Sequence, residues 1–445
     1  MPRLKRKIDD FLVNWKDSKD KLPLIIKGAR QVGKTESIEN FARNYYKNFV
    51  EINFALQPEF KTIFDNGFSV DKIISNISLI NNDFDFVPGE TLIFFDELQD
   101  CINCATSLKS FNIDKRFDVI CSGSMMGINY NEIESNSVGN KQDYTMHSLD
   151  FEEFLWAKGY KNNQIEELYE CMKNCRPLTT TQFEVMMNNF KDYMILGGMP
   201  AIVAKYIENK NFSGILAMQK QILIDYEEDI AKYAAGHDKA RILNAYRKVA
   251  VFLGNENKKF QISKISDGAR NREYRGVSDW LSDAGIINIS YCMEECALPL
   301  KGNYKLKNYR LYFSDTGLLI ASLDEEAQDA LRKNQNFNTY KGAIYENIVS
   351  DMLVKAGYDL YFYKNEKGTI EMDFFIRDRN SLIPVEVKAN DNSTVSLNNL
   401  IDSNNYKDIK YGIKLCNKNI GFNGKFYTFP YFLTFLLKRY LKETK

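Results

Sequence analysis

Short apolar runs alternate with amphipathic stretches over residues 1–160. The runs have the length of strands, and the first stretch that follows one places Ile38, Phe41 and Ala42 on a single helical face. Strands that alternate with helices in this way predict a parallel sheet covered by helices, and hence an α/β domain. The predicted strands are 22–27, 49–54, 91–95, 117–122 and 143–147, and the first predicted helix is 34–46.

Two further regions follow this α/β domain. Residues 161–238 are helical with one break at LGGMP (196–200), and we interpret them as a lid. Within 239–335, the segment 258–288 shows a short helix, a turn and a second amphipathic helix that ends at Gly285 before an apolar strand. That rhythm is typical of a winged helix-turn-helix. Three arginines enter the second helix, where a recognition helix would meet a DNA groove, although they would serve equally well facing solvent or a neighbouring domain. They are Arg270, Arg272 and Arg275.

The last segment, 336–445, changes pattern once more. An amphipathic helix at 341–358 precedes three runs rich in β-branched and aromatic residues, at 358–364, 370–377 and 382–390. This composition favours strands. We therefore predict a second α/β domain at the end of the chain.

Composition excludes few classes of function. The chain has 59 basic and 59 acidic residues, so its net charge indicates neither a nucleic-acid nor a membrane partner, and a basic surface would have to be local. No apolar segment follows the opening MPRLKRK, and no run reaches the roughly 18 apolar residues of a spanning helix. We expect a cytoplasmic protein. The eight cysteines are best explained as the reduced thiols of a cytosolic protein. Cys101 and Cys104 resemble half of a zinc site, but no second pair of cysteines has that spacing.

The first chemical motif is LIIKGARQVGKTE, which begins at Leu24. Gly28, Gly33, Lys34 and Thr35 fit G-x-x-x-x-G-K-[ST], and the motif lies between a predicted strand and a predicted helix, as a phosphate-binding loop requires. In such a loop the backbone N–H groups hold phosphates, Lys34 reaches the β and γ oxygens, and Thr35 ligates Mg²⁺. We expect ATP and Mg²⁺ as cofactors. The expected nucleotide-binding residues are Gly28, Ala29, Arg30, Gln31, Val32, Gly33, Lys34, Thr35 and Glu36.

A second motif, TLIFFDELQ, ends an apolar strand with the adjacent carboxylates of Asp96 and Glu97. At the carboxyl edge of a parallel sheet, Asp96 would hold Mg²⁺ through water and Glu97 would polarise the water that attacks the γ-phosphate. The alternative is an acidic pair that caps the next helix. We assign the metal to Thr35 and Asp96, and Glu97 and Lys34 are the first catalytic candidates.

Another predicted strand, 117–122, leads into small polar residues in the sequence CSGS. Ser122 and Ser124 would emerge beside the phosphates, where a hydroxyl senses the γ-phosphate or orients water. They would also suit a turn. We favour the first interpretation and add both serines to the catalytic candidates.

A third motif lies in the predicted C-terminal strands. Asp373 is followed after twelve residues by Glu386, Val387 and Lys388, and strand alternation puts Glu386 and Lys388 on one face. Carboxylates that converge on one point hold Mg²⁺, and a lysine beside them activates the water that attacks a phosphodiester. With Glu346 from the preceding helix, these residues have the order and spacing of the restriction-endonuclease-like fold. The alternatives are a surface Glu–Lys ion pair and a fold retained without activity.

Taken in order, these motifs resemble one family over nearly the full length. It comprises prokaryotic AAA-type ATP-binding proteins whose C-terminal half is a domain of unknown function with a restriction-endonuclease-like core. The resemblance implies ATP binding and hydrolysis, a winged-helix segment, and a nucleotide site at Gly28 to Thr35 with Asp96 and Glu97. It rests on GARQVGKT (28–35), LIFFDELQ (92–99), CSGS (121–124), LDFEEFL (149–155), GGMP (197–200), YFSDTGLL (312–319), GAIYEN (342–347), EMDFFI (371–376) and PVEVKA (384–389).

The chain departs from this family at one position. Relatives usually carry Gly-Arg shortly before the strand that precedes FEEFL, where AAA proteins place an arginine finger, whereas this chain has Asn140 and Lys141. Only Arg116 and Arg176 occur between residues 44 and 240. An arginine finger is worth on the order of 10³–10⁵ in rate, and a lysine lacks its bidentate fork. We therefore expect slow ATP hydrolysis that acts as a switch.

Two functions from different classes are compatible with the sequence. The first is an ATP-dependent, DNA-associated enzyme or switch, in which the nucleotide state repositions the winged helix and the nuclease-like domain. The second is a nucleotide-gated scaffold without enzymatic activity, which binds a protein partner through its C-terminal half. DNA affinity that falls steeply with salt separates them. Both allow a homo-oligomer. A small-molecule kinase shares the phosphate-binding loop but leaves the last 200 residues unexplained.

Overall fold

A computed structural model describes residues 3–124, 137–234, 238–254, 276–323, 326–333, 339–389 and 394–444. These residues form two compact units. One unit consists of 5–148 with 283–285, and the other contains the remaining described residues. Most of the predicted helix-turn-helix lies outside the described residues, as do all three arginines assigned to DNA (Arg270, Arg272 and Arg275).

The first unit is built on a parallel five-stranded sheet in the order β2-β3-β4-β1-β5. The parallel α/β domain predicted from the sequence is confirmed. Its strands are β1 (Leu24–Gly28), β2 (Asn48–Asn53), β3 (Thr91–Asp96), β4 (Asp118–Ser124) and β5 (Gln142–Thr145). Its helices are α1 (Lys7–Asp17), α2 (Lys34–Tyr45), α3 (Val70–Ile80) and α4 (Ile102–Asp114), with 3₁₀ segments at Pro58–Phe64 and Leu98–Asp100.

The central strands β1, β3 and β4 are buried on both faces, which explains why each of them contains a continuous apolar run in the sequence. In β3, Leu92 and Phe94 join the core that contains residues of α1 and α2. Ile93 and Phe95 join the opposite core, which contains residues of α3 and α4. Helices therefore cover both faces, and the polar residues that end β2, β3 and β4 lie along one edge of the sheet, beside the end of β1.

Beyond residue 148 the chain forms helices followed by two mixed sheets. The helices are α5 (Phe151–Ala157), α6 (Asn162–Lys173), α7 (Thr180–Leu196), α8 (Pro200–Asn209), α9 (Ile215–Tyr233), α10 (Asp238–Gly254), α11 (Val277–Asp283), α12 (Thr316–Ala321), α13 (Ala327–Arg332), α14 (Thr339–Lys355), α15 (Val395–Asp402) and α16 (Leu437–Thr444), with a 3₁₀ segment at Tyr431–Leu436. The strands are β6 (Ile287–Met293), β7 (Tyr304–Phe313), β8 (Leu360–Lys364), β9 (Glu371–Met372), β10 (Phe374–Arg377), β11 (Leu382–Lys388), β12 (Gly412–Cys416), β13 (Gly421–Phe422) and β14 (Phe426–Pro430). The sheet orders are β10-β11-β12-β14-β13 and β7-β6-β8-β9. None of the helices in the described ranges is long and apolar enough to cross a bilayer.

The helices expected as a lid and the C-terminal strands share this second unit. Arg439 of α16 forms an ion pair with Glu166 of α6, with 2.7 Å between Nη1 and Oε2. The ring centroid of Phe151, at the start of α5, lies 5.7 Å from that of Phe435. The two segments therefore pack on each other within the unit.

The strand predicted at 370–377 is two strands in different sheets. β9 pairs with β8, whereas β10 pairs with β11. Asp373 stands between them, and its Oδ2 accepts a hydrogen bond from the backbone N–H of Val387 at 2.9 Å. Because a side chain takes this backbone donor, the pairing changes from one sheet to the other at Asp373. The alternating pattern of apolar residues carries no sign of that change.

Three motifs from distant parts of the sequence meet in the second unit, in a group of residues that we call the Leu149 joint. The motifs are LDFEEFL (149–155), GGMP (197–200) and YFSDTGLL (312–319). It comprises Leu149, Tyr193, Gly198, Asp315 and Lys355. The backbone N–H of Leu149 donates to the carbonyl of Gly198 at 2.7 Å, and the N–H of Gly198 donates to Oδ2 of Asp315 at 2.7 Å. The carbonyl of Leu149 accepts from the Tyr193 hydroxyl at 2.7 Å and from Nζ of Lys355 at 3.1 Å. The chain is thus held at Leu149 by residues up to 206 positions away.

Candidate functional site

The phosphate-binding loop joins the carboxyl end of β1 to the amino end of α2. Gly33 caps α2 with φ 90°, in the left-handed region that favours glycine. A Cβ atom at Gly28 would lie 2.3 Å from the carbonyl oxygen of Met146, a backbone atom. Gly33 is therefore required by its backbone conformation, and Gly28 is required by the close approach of the Met146 backbone.

Lys34 lies within this loop, and its ammonium donates to the loop's own backbone. Nζ is 3.0 Å from the carbonyl oxygen of Gly28 and 2.9 Å from that of Ala29. Burial lowers the pKa of Lys34 to about 8, although the negative charges of Glu97 and Asp96 oppose the shift. The loop therefore holds the Lys34 ammonium where burial disfavours its positive charge. A phosphate oxygen would be a stronger hydrogen-bond acceptor for this ammonium than a carbonyl oxygen.

Asp96 ends β3 and accepts hydrogen bonds from polar residues at this edge of the sheet. It is 4% exposed. Its Oδ2 accepts from the Thr35 hydroxyl at 3.3 Å and from Nδ2 of Asn53 at 3.0 Å, and its Oδ1 accepts from the Ser122 hydroxyl. The carboxylate and hydroxyl oxygens gathered here are the ligands that Mg²⁺ prefers. Thr35 and Asp96 together fit the expected metal.

Glu97 stands beside this group in a strained backbone conformation. Its φ of 56° and ψ of 51° place a residue with a side chain in the left-handed region. Its carboxylate accepts a hydrogen bond from Nε2 of Gln99. Strain of this kind is costly and persists where the surrounding structure fixes it, most often at functional sites.

The remaining predicted residues of this site divide into two groups. Ser124 is buried at the end of β4, in register with Gly28 of β1, and so lies beside the loop. Asn140 and Lys141 instead bind neighbours in their own unit. Oδ1 of Asn140 accepts from Asn112 at 3.0 Å, and Nζ of Lys141 lies 2.6 Å from Asp143.

Two further residues position this site, and neither belongs to a motif recognised in the sequence. Asn53 ends β2 directly opposite Asp96, so polar residues at the ends of neighbouring strands were the signal that would have found it. Arg6 precedes α1 and is 5% exposed. Its guanidinium donates to the carbonyls of Val32 at 2.8 Å and His147 at 2.7 Å, and nothing in the local sequence indicates this role.

The C-terminal carboxylates surround an arginine that the sequence analysis did not single out. Arg310 of β7 is 2% exposed, and its guanidinium binds Glu371. Its Nη1 lies 4.0 Å from Oε2 of Glu346 and 4.0 Å from Oδ1 of Asp373. The structure therefore brings two of the predicted ligands, Glu346 and Asp373, to one cation, and that cation is part of the protein.

Glu386 and Lys388 pair with each other in β11, with 2.9 Å between Nζ and Oε1. Burial raises the pKa of Glu386, while Lys388 opposes the shift. Burial also lowers the pKa of Lys388, but the hydrogen bond and charge of Glu386 outweigh it and the pKa is raised. Lys388 is therefore held as an ammonium, which positions a water or a phosphate better than it removes a proton.

A pocket of about 280 Å³ opens beside Arg310. Its lining has three cations and one carboxylate, and two of the cations, Arg310 and Lys364, are paired with Glu371, so a small positive charge remains to attract an anion. The lining residues are Lys305, Asn308, Arg310, Phe362, Lys364, Asn365 and Glu366.

Among the described residues, no group of three or more histidine, cysteine, aspartate or glutamate side chains is arranged to hold a metal ion. All eight cysteines are free thiols, and seven of them are buried. The predicted ligand set of Glu346, Asp373 and Glu386 stays a prediction.

Comparison with known families defines the class of the first unit. Residues 20–155 match the model of an AAA domain. Together with the loop geometry, this match identifies the first unit as a P-loop, AAA-type, ATP-binding domain. Residues 187–329 match a domain of unknown function (DUF8612), and residues 341–432 match another (DUF4143). No curated protein sequence matches the chain significantly.

Three solved structures similar to this chain all have low sequence identity to it. The Walker-type ATPase PABY2304 of Pyrococcus abyssi has 14% identity and a TM-score of 0.44, over 72% of this chain and 98% of that one. The Aeropyrum pernix ORC1 protein in complex with DNA has 10% identity and a TM-score of 0.28, over 74% and 91%. PCH-2 of C. elegans has 12% identity and a TM-score of 0.27, over 45% and 59%. At these TM-scores the likenesses carry no conclusion about what this chain binds.

Proposed function

We propose that this chain binds ATP with Mg²⁺, hydrolyses it slowly, and uses the nucleotide state to control a C-terminal unit that contacts DNA. The observation that supports this proposal most directly is the convergence of Lys34, Thr35 and Ser122 with Asp96 at one edge of the sheet. Such an arrangement suits a nucleoside triphosphate, whose phosphates need a cation and an amide-rich loop.

Each residue of the site has a distinct part in this proposal. The ammonium of Lys34 exchanges the carbonyls of Gly28 and Ala29 for β and γ phosphate oxygens. Thr35 and Asp96 hold Mg²⁺, which supplies charge neutralisation at the phosphates. Glu97 orients the attacking water and accepts its proton once its carboxylate is released from Gln99.

Slow ATP hydrolysis is proposed because this chain has Asn140 and Lys141 where related proteins carry Gly-Arg. Asn140 is bound to Asn112, and Lys141 is paired with Asp143. A lysine that turned towards the nucleotide would bring a point charge without a bidentate fork. Hydrolysis would then lack the stabilisation of transition-state charge that an arginine finger gives, on the order of 10³–10⁵ in rate.

The proposed DNA contact rests on the pocket beside Arg310. Lys305 and Lys364 line it together with that buried guanidinium. Phosphodiester groups are among the anions that a local group of lysine and arginine side chains binds. The winged-helix segment, with Arg270, Arg272 and Arg275, remains the second proposed DNA contact.

Two substitutions test the ATPase assignment. We expect Lys34→Ala to abolish or strongly weaken ATP binding, because it removes the charge that the loop offers to the phosphates. We expect Glu97→Gln to keep ATP binding and to lower turnover by roughly 10²–10⁴, the usual contribution of a general base. Calorimetry measures the first and phosphate release the second. Lys47→Ala, at a lysine whose side chain is 73% exposed and paired with Glu90, is the control that should change neither. Turnover at the wild-type rate in Glu97→Gln would refute the catalytic role of Glu97.

A further inference from the structure

Arg310 occupies the centre of the C-terminal carboxylate group. Its side chain comes from β7, whereas Glu346 comes from α14, and Glu371 and Asp373 lie in and directly after β9. The guanidinium binds Glu371 and lies 4.0 Å from both Glu346 and Asp373. We call Glu346, Glu371, Asp373 and Glu386 the carboxylate cluster.

The packing around Arg310 fixes the guanidinium in this position. Its central carbon lies 4.1 Å from the centre of the Phe362 ring. Nη1 is buried without a hydrogen-bond partner, and Oε2 of Glu386 is also buried without one. A donor and an acceptor in this region are therefore both buried without a hydrogen-bond partner, which is unusual for buried polar atoms.

The charges in this region explain what the guanidinium does. Several carboxylates that are buried close together repel one another unless a cation lies among them. A divalent ion would have this function in a metal site, and Arg310 has it here. The outer carboxylate oxygens are already paired with lysines. Lys364 lies 2.8 Å from Oε2 of Glu371, and Lys388 lies 2.9 Å from Oε1 of Glu386.

We propose that Arg310 takes the place of a divalent cation in the carboxylate cluster, and that the cluster binds metal only after this guanidinium is removed or withdrawn. A guanidinium and a dication cannot occupy the same position, because their charges repel at short range. The cluster is then an internally neutralised site, closed to Mg²⁺ and Mn²⁺ while Arg310 remains in place. This inference goes beyond the proposed function and concerns the C-terminal carboxylates only, so its failure would leave the ATPase assignment unchanged.

Titration of the full chain with Mn²⁺ in the absence of nucleotide tests the proposal. Asp373→Asn removes a ligand from the cluster but none from the nucleotide site. Any heat of Mn²⁺ binding that this substitution abolishes therefore comes from the cluster. We expect wild type and Asp373→Asn to give the same weak signal. We expect Arg310→Met, which keeps the apolar stem but loses the charge, to bind Mn²⁺ at least on the order of tenfold more tightly than wild type. The double variant Arg310→Met/Asp373→Asn should lose that gain.

Arg310→Lys is the matched control, because it keeps a cation at this position and should behave as wild type. If Arg310→Met is unfolded in a metal-free buffer, Mn²⁺ should restore its circular dichroism spectrum unless Asp373→Asn is also present. Two results would overturn the proposal. One is wild-type Mn²⁺ binding that Asp373→Asn removes. The other is an Arg310→Met protein that binds Mn²⁺ no more tightly than wild type and whose folding does not change when Mn²⁺ is added.

Discussion

At the scale of single residues, Lys34 connects burial to nucleotide affinity. Its ammonium donates to two loop carbonyls, and burial brings its pKa down to about 8. An ammonium with this pKa is charged at neutral pH but loses its proton in mildly alkaline solution. Phosphate binding favours the charged form, so the two equilibria are linked.

We expect ATP affinity to fall as the pH rises through about 8. Below that pH Lys34 carries the charge that attracts the phosphates, and above it the buried amine is neutral. ATP raises the pKa of Lys34 when it binds, so binding in alkaline solution should take up a proton. Calorimetry at about pH 7 and about pH 9, in buffers with different heats of ionisation, measures both the affinity and the proton uptake.

Lys34→Arg provides the control for this pH effect, because its guanidinium stays protonated throughout the range. It should show no loss of affinity between the two pH values, whatever its absolute affinity. A flat profile in wild type, or an equal fall in both proteins, would assign the titration to a different group.

The sequence predicted residues of the nucleotide site and missed Arg310, for a physical reason. Gly28, Lys34 and Thr35 act within one short loop, so the motif contains its own geometry. Asp96 follows its strand and needs only the parallel sheet to place it. Arg310 acts across elements whose pairing no local pattern encodes, and its neighbour Glu371 is 61 residues away in the sequence.

At the scale of elements, close backbone approach decides which glycines are required. Gly317 lies in α12, and a Cβ there would be 2.4 Å from the carbonyl oxygen of Leu196 and 2.5 Å from the backbone nitrogen of Gly197. Backbone atoms cannot rotate away as a side chain can. Alanine at this position would therefore force α12 away from the end of α7.

We expect Gly317→Ala to lower the free energy of unfolding by about 1–3 kcal/mol, the usual cost of overpacking. Gly342→Ala is the matched control, because Gly342 is also helical and a Cβ there meets nothing within 4 Å. That control should gain about 0.4–1 kcal/mol from the reduced entropy of the unfolded chain. Denaturant unfolding followed by circular dichroism measures both, and a stable Gly317→Ala protein would contradict this packing.

The strands show where hydrophobic pattern succeeds and where it fails. It located the central strands β1, β3 and β4 because helices cover both faces of the sheet and each of these strands contains a continuous apolar run. It failed at Asp373, where β9 and β10 belong to different sheets. The backbone N–H of Val387 donates to the Asp373 side chain at that break, and a pattern of apolar and polar residues does not reveal such a hydrogen bond.

At the scale of the whole molecule, DNA affinity separates the two functions that the sequence left open. We expect affinity to fall steeply with salt, because phosphate contacts release counterions. Lys305→Ala, at the pocket beside Arg310, should weaken binding for every sequence and reduce the slope of log affinity against log salt by about one.

Lys307→Ala is the control for this measurement, since Lys307 is an exposed lysine of the same strand that does not line the pocket. Fluorescence anisotropy with labelled DNA over a salt series gives both slopes. Absence of salt-dependent binding would favour a scaffold that docks a protein partner. An equal effect of both lysines would place the phosphate contact elsewhere on the surface.

The Leu149 joint determines where this polypeptide can be divided for separate expression. Leu149 and Phe151 precede residue 161, at which the predicted lid begins, yet they pack inside the second unit. A fragment that starts at 161 would remove Phe151 from the aromatic core of α7 and leave Lys355 without its carbonyl acceptor. A fragment that starts at 149 keeps both contacts. A gene cut between 148 and 149 moves residues 283–285 of the first unit to the C-terminal half but keeps the Leu149 joint intact, so that half should resist protease, whereas a cut twelve residues later should yield a protease-sensitive C-terminal product.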